Sequence, residues 1–144
     1  MRSIQELSIK EVEYVAFRLA KKWMTFHKPI PDFQTRYPNK LESCLATPFQ
    51  RFNKKPLYAG LAGKTAIMFY FLIKNYPFQN GNKRIAMTAL LTLLTKNKKW
   101  LKVDQRQFYN HAMWVASSPP DAKEETVRYI EKFIKKHLVD LKEK

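Results

Sequence analysis

Apolar residues recur every three or four positions along most of this chain, which is the spacing of amphipathic helices. The first such stretch opens with Ser8 and Glu11, the two ends of a capping box, so a helix is expected to begin there. This helix should pack one side on a core. Its apolar face is predicted to carry Ile9, Val12, Val15, Ala16, Leu19, Ala20 and Trp23.

Prolines break this pattern between His27 and Tyr58. Each proline removes a backbone donor and disfavours helical structure around it. Loops and turns are therefore predicted, with one short helix around residues 39–46, and any β-hairpin or flap is expected in this stretch. The prolines are Pro29, Pro31, Pro38, Pro48 and Pro56.

Two stretches in the middle of the chain are apolar on nearly every side, as expected for helices buried at the centre of a bundle. They span residues 64–75 and 82–97, and the nine residues YPFQNGNKR lie at their junction. The pattern therefore predicts two central helices joined by a short, polar and positively charged loop.

The remainder of the chain predicts two more helices. Asp104 and Gln107 mark the start of one, which is expected to end before Pro119. From Asp121 a last amphipathic helix is predicted, with lysines on its outer face. The residues expected on its inner face are Val127, Ile130, Ile134, Leu138 and Leu141.

Composition favours one all-α domain. The chain has 144 residues, of which 45% are hydrophobic and 14% aromatic, and only three are glycine. This is enough apolar material for a single sizeable core but too little chain for two. We therefore predict a compact helical bundle that forms a single domain over residues 1–144.

Cysteine and hydropathy exclude several classes of protein. Cys44 is the only cysteine, so an internal disulfide and a cysteine-based metal site are excluded. No apolar stretch reaches the length of about 18 residues that a membrane helix needs, and the first residues lack the apolar core of a signal peptide. A cytoplasmic protein without membrane contact is expected.

The charge is strongly positive, with 27 Lys and Arg against 12 Asp and Glu, or +15. Such an excess favours nucleic acid, an acidic protein surface or anionic lipid as a partner, and it also fits solvated helix faces such as those of Lys21, Lys22, Lys135 and Lys136. No helix-turn-helix and no basic stripe with interleaved aromatics is present, so direct contact with nucleic acid is not expected.

The junction has the composition of an anion site. A helix that begins near Asn82 would direct its free amides and the positive end of its dipole into the loop, and Gly81 would allow a ligand to approach closely. Lys83 and Arg84 add positive charge where helix stability alone would favour acidic side chains. The alternative is a tight turn in which both cations point into water.

YPFQNGNKR resembles the signature of the Fic/Doc family, which is His, any residue, Phe, any residue, Asp, Glu or Asn, Gly or Ala, Asn, Gly or Lys, and Arg. Every position except the first complies. Upstream, KLESCLATPFQRF resembles the segment that precedes the flap in Doc-like members, and downstream IAMTALLTLLTKNKKWL resembles the helix that follows the motif. The resemblance covers residues 39–103.

This resemblance implies an all-helical fold with the motif loop between two central helices, and transfer of part of a nucleotide to a protein hydroxyl with ATP and Mg²⁺. Most members move AMP. Doc-like members carry lysine at the position of Lys83, bind ATP in a reversed sense and phosphorylate a threonine of elongation factor Tu, which stops translation. Lys83 indicates a Doc-like toxin, with AMP transfer as the alternative.

The resemblance also assigns roles to individual residues. Phe78 would anchor the loop in the core, and the neighbours of Phe78 would form the site. The implied catalytic positions are Tyr76, Lys83 and Arg84, the ATP or phosphate ligands are Lys74, Gly81, Asn82, Lys83 and Arg84, and the magnesium ligand is Asn80.

Tyr76 departs from the family at the histidine that takes the proton of the attacking hydroxyl. A phenol titrates near ~10 and an imidazole near ~6.5, so a phenol is a poor general base at neutral pH. Three interpretations stay open, namely a natural pseudoenzyme, an altered mechanism or an inactivating substitution in a toxin, and we favour the last. Asn80 is a milder departure because it keeps an oxygen ligand but lacks the charge of aspartate.

Inhibition is expected to come from a separate antitoxin protein. Some members of the family carry an inhibitory motif of Ser or Thr, three residues and Glu, but no Ser or Thr of this chain is followed four positions later by Glu. An acidic disordered segment would fit the basic surface. A non-catalytic module that binds an antitoxin or nucleic acid is the alternative from a different functional class.

Overall fold

Helices and two small antiparallel sheets make up the described part of the computed structural model, residues 3–22, 32–37 and 39–141. Trp23 and His27 lie outside these residues. The helices are the first helix (segments Ile9–Glu11, Val12–Phe17 and Arg18–Lys22), the short helix Lys40–Ala46, the central helix Gly60–Lys74, the motif helix Asn82–Lys96, the aromatic helix Gln105–Ser117 and the last helix Lys123–His137. Single 3-10 turns are Phe33–Thr35, Thr47–Phe49 and Pro120–Ala122.

Two antiparallel strand pairs accompany the helices. Strands β1 (Arg51–Phe52) and β2 (Lys55–Pro56) form a hairpin in which Arg51 pairs with Pro56. It lies in the stretch where a flap was expected. Strands β3 (Lys99–Leu101) and β4 (Leu138–Asp140) are far apart in sequence and pair antiparallel, with Trp100 opposite Val139.

The central helix and the motif helix form the middle of the molecule and are buried on nearly every side, as predicted. They pack on each other, and the central helix also packs on the last helix. Burial of each large apolar side chain contributes about 1.5–3 kcal/mol, so this pair holds much of the core. An all-α bundle is therefore confirmed, while the limits of a single domain at residues 1–144 stay a prediction.

The first helix begins as predicted but turns differently in its middle. The Glu11 amide donates to Ser8 Oγ at 3.1 Å and the Ser8 amide donates to Glu11 Oε1 at 3.0 Å, which completes the capping box. Val12–Phe17 is a π-helix. Its wider turn brings Phe17 to the core. Val15 and Leu19 remain 42% and 49% exposed, so their predicted burial is wrong.

The last helix is shorter than its apolar spacing predicts. It ends at His137, and Leu138 begins β4. The His137 carbonyl accepts from the Lys102 amide at 2.9 Å, and the Leu141 amide donates to the Lys98 carbonyl at 3.1 Å. The predicted helical placement of Leu138 and Leu141 is therefore wrong, because pairing with β3 satisfies these backbone groups instead of another helical turn.

His111 is a buried titratable residue outside the motif. Its ring stacks on Phe133 with centroids 4.0 Å apart. Burial chiefly, and the nearby His137, lower the pKa of His111 to about 4. The folded protein thus binds fewer protons than the unfolded chain, in which histidine titrates near ~6.5, so this residue favours folding above pH ~6.5 and the benefit is lost as the pH falls towards 4.

Replacing His111 with phenylalanine is expected to remove about 3 kcal/mol of the pH dependence of stability, at about 1.36 kcal/mol for each unit of pKa. The free energy of unfolding would be measured by urea titration at pH 7.5 and at pH 4 for the parent chain and for His111→Phe. The difference between the two pH values should be smaller by that amount in the variant. Equal differences in the two chains would contradict this account.

Candidate active site

Phe78 anchors the loop between the central and motif helices. Its ring lies 5.7 Å from that of Phe17 and 5.8 Å from that of Phe33, and those two rings are 5.3 Å apart edge to face. The Tyr37 amide donates to the Pro77 carbonyl at 2.9 Å. The loop is thus tied to the first helix and to residues 32–37, and the predicted anchoring role of Phe78 agrees with these contacts.

Asn82 clamps the loop through its side chain. Its Oδ1 accepts from the Phe78 amide at 3.0 Å, and its Nδ2 donates to the Phe78 carbonyl at 2.9 Å. Both residues are buried, so these two bonds satisfy backbone groups that water does not reach. The carboxamide of Asn82 is occupied inside the loop, which leaves its backbone amide as the group that can face an anion.

Asn82→Ala is expected to lower the free energy of unfolding by about 2–4 kcal/mol, because the buried Phe78 amide and carbonyl lose their partners. Asn110→Ala is the matched control, since Asn110 is an exposed helical residue and its replacement should stay within about 0.5 kcal/mol of the parent. Urea titration of both variants measures the difference. Equal stabilities would show that the clamp contributes nothing.

The motif helix begins just after Gly81. Gly81, its N-cap residue, has φ +76° and provides no side-chain cap. The first backbone bond runs from the Ile85 amide to the Gly81 carbonyl at 3.0 Å. The amides of Gly81, Asn82 and Lys83 therefore precede the hydrogen-bonded part of the helix, where the positive end of the dipole favours an anion. Lys83 is half-buried at the same turn.

Arg84 lies beneath this turn with only 6% of its surface exposed. Burial lowers the pKa of its guanidinium, and Tyr109 on the aromatic helix opposes that shift. The residue stays cationic, since an arginine side chain is not deprotonated in a protein. Tyr109 is a neighbour of the site that the sequence did not indicate, because it belongs to a helix that begins well after the motif.

Asn80 occupies the implied magnesium position. Its Oδ1 is withdrawn from solvent and has no hydrogen-bond partner among the described residues. An amide oxygen of this kind fits as one ligand of Mg²⁺, which usually takes few protein ligands and completes its shell with water and phosphate oxygens. Within residues 3–22, 32–37 and 39–141, no group of three or more His, Cys, Asp or Glu is placed to hold a metal.

Tyr76 is the first residue of the motif, at the position where the resemblance implies a general base. It is 55% exposed and its backbone has φ +49°, in the left-handed region that few bulky residues adopt. Its phenol therefore faces solvent rather than the core. His111 does not take its place, because the aromatic rings stacked around it belong to the central, aromatic and last helices.

Lys74 is engaged elsewhere. Its ammonium donates to the carbonyls of Ala116 at 3.2 Å and Ser118 at 2.5 Å, at the end of the aromatic helix. A cation at that end satisfies free carbonyls and interacts favourably with the helix dipole. Phosphate binding would require Lys74 to give up these bonds, so we leave it out of the site proposed below.

Four cavities of 350–500 Å³ are lined by described residues, and their linings include no residue from 76–84. The motif turn is thus not part of these cavities.

Among the described helices, none has both the length and the apolar character that crossing a membrane demands.

The motif helix thus starts at Gly81, next to a loop that Asn82 clamps, and this start carries Lys83 and Arg84 between two buried helices. The model of the Fic/DOC family matches residues 7–94, which is more than half of the chain. This chain therefore belongs to the Fic/DOC family, whose members are generally transferases. Searches of curated proteins and of solved structures returned no match.

Proposed function

We propose that this chain is a Doc-like toxin that transfers phosphate from ATP to a threonine hydroxyl of a protein, with its activity impaired by Tyr76. The observation that carries this proposal is the start of the motif helix, where the amides of Gly81, Asn82 and Lys83 precede the first helical hydrogen bond. Phosphoryl transfer needs chiefly positioning and neutralisation of charge, and this turn supplies both.

Each residue of the turn has a separate task in the proposal. The amides hold phosphate oxygens, and the Lys83 ammonium balances the charge that develops on the transferred group. Arg84 adds fixed positive charge below the turn, next to Tyr109. Bound Mg²⁺ would supply further positive charge to offset the negative charge of the phosphates. Asn80 Oδ1 is the atom of this chain that would hold it.

Lys83 supports phosphate transfer over AMP transfer. A glycine at this position would leave space beside the helix start for the phosphates of a nucleotide, whereas a lysine side chain fills that space and adds charge. A different orientation of ATP is then favoured, with its terminal phosphate at the turn. AMP transfer remains the second candidate, because it would use the same backbone amides, the positive charge of Lys83 and Asn80 as the magnesium ligand.

The proposed target is a threonine of elongation factor Tu, which places the reaction in the cytoplasm and its effect in translation. The net charge of +15 supports a separate acidic antitoxin as the regulatory partner. Such a protein would be drawn to the chain electrostatically, and its binding should weaken with salt.

ATP binding tests the proposed site without requiring catalysis. Lys83→Ala is expected to weaken the binding of ATP with Mg²⁺ by about tenfold or more, since a hydrogen bond to a charged group contributes about 1.5–3 kcal/mol. Lys22→Ala is the matched control, because it removes an exposed lysine of the first helix and should leave affinity unchanged. Isothermal titration calorimetry measures the dissociation constant of ATP for the parent chain and for each variant. Equal affinities in the parent chain and Lys83→Ala would rule out the proposed contribution of the Lys83 ammonium to ATP binding.

A further inference from the structure

The aromatic helix and the last helix line an open cavity of about 500 Å³ that the proposed transfer does not use. His111, Trp114, Tyr129 and Phe133 form its walls. The rings are held by one another, with Trp114 and Tyr129 4.7 Å apart and His111 stacked parallel on Phe133. Walls of this kind offer π-faces and edges to a flat ring, and the volume lies in the range of small-molecule sites, about 300–1,000 Å³.

The positively charged side chains at the opening of this cavity favour an anionic ligand. Lys132 and Lys136 line it, both are exposed, and the lining contains no Asp or Glu. The neighbouring Glu131 lies on the same helix but pairs with Lys135 at 3.0 Å. A metal ion or an organic cation would therefore meet two ammonium groups and no carboxylate, whereas an anionic group would be attracted.

Two ring nitrogens in the lining lack partners. Nε2 of His111 and Nε2 of His137 are both withdrawn from solvent and have no hydrogen-bond partner among the described residues. Unpaired buried polar atoms are uncommon in folded proteins, because their hydrogen bonds to water are lost on folding and not replaced. A small shift of either ring would allow a ligand with donors and acceptors on its edge to pair with them, which an aliphatic or purely apolar ligand could not do.

We propose that this cavity binds a planar aromatic anion of nucleotide size, with its ring among the aromatic side chains and its anionic group at Lys132 and Lys136. Gln107 and Asn110 complete the lining with amide groups that can pair with heteroatoms of the ring. The site is separate from the motif turn, and it does not depend on the transfer proposed above.

Adenosine monophosphate is the probe, with adenosine and ribose 5-phosphate as its two halves. Calorimetry of the full chain should show binding of AMP, and each half should bind at least tenfold more weakly. Trp114→Ala and Lys136→Ala should each weaken AMP binding severalfold. Met113→Ala and Lys22→Ala are the matched controls, because these residues do not line the cavity and should leave affinity unchanged. Thermal unfolding confirms that each variant is folded.

Lys83→Ala separates this cavity from the motif turn. AMP bound in the aromatic cavity should be unaffected by Lys83→Ala, and ¹⁵N spectra of the imidazoles should show His111 and His137 shifting as AMP is added. Loss of AMP binding in Lys83→Ala, with full binding in Trp114→Ala, would assign AMP to the motif turn and overturn the proposal. Absence of AMP binding at millimolar concentration would overturn it as well.

Discussion

Tyr76→His is expected to switch on group transfer from ATP to a protein, with a gain of about 10²–10⁴ over the parent chain. This is the contribution that a positioned general base makes, and an imidazole titrates near ~6.5 where a phenol titrates near ~10. The backbone at this position has φ +49°, a conformation in which histidine is found more often than most residues, so the exchange should not strain the loop. The remaining motif residues need no change.

The assay combines the variant with ATP, Mg²⁺ and elongation factor Tu, and mass spectrometry reads the product. A gain of about 80 daltons identifies phosphate and about 329 daltons identifies AMP, as the transferred groups require. Tyr76→Phe is the control, since it keeps an aromatic ring but offers no base, and it should stay inactive. If Tyr76→His binds ATP and modifies neither elongation factor Tu nor any other protein of a bacterial extract, the proposed enzyme function is wrong.

Phe78→Ala is expected to lower the free energy of unfolding by about 3–5 kcal/mol, the usual cost of removing a buried phenylalanine. The ring is 2% exposed and packs against both Phe17 and Phe33, so its loss leaves a cavity under the motif loop. The free energy of unfolding of a typical domain is about 5–15 kcal/mol. The Phe78→Ala variant should therefore be close to unfolding at 37 °C.

Phe52→Ala makes the same chemical change on the exposed β1 strand and is the control for Phe78→Ala. It should change stability by about 0.5 kcal/mol or less, because 68% of the Phe52 surface is already in water. Urea titration at pH 7.5 measures both variants. A cost for Phe78→Ala as small as that of Phe52→Ala would mean that the loop is not anchored by its ring.

Local sequence patterns predicted most of the helical framework. Ser8 with Glu11 and Asp104 with Gln107 marked helix starts, and both caps form as expected. These signals succeed because a cap or an apolar stripe depends on residues within one or two turns. The start of the motif helix at Asn82 was predicted for the same reason.

The features that were missed depend on distant contacts or on backbone choices that side-chain spacing does not reveal. The π-helix at Val12–Phe17 follows packing of Phe17 against Phe33 and Phe78, and β4 forms because β3 is available to pair with it. Tyr109 lies near Arg84 only through the packing of two helices. The engagement of Lys74 with the end of the aromatic helix is likewise a tertiary effect.

The cluster of Phe17, Phe33 and Phe78 also sets when the site can form during synthesis. Phe17 and Phe33 leave the ribosome before Phe78 does. The cluster of three rings is therefore complete only after Phe78 has been synthesised. Contacts between such distant residues form late, after the entropic cost of closing the intervening chain has been met. The motif loop therefore gains its aromatic anchor only after all three rings have been synthesised.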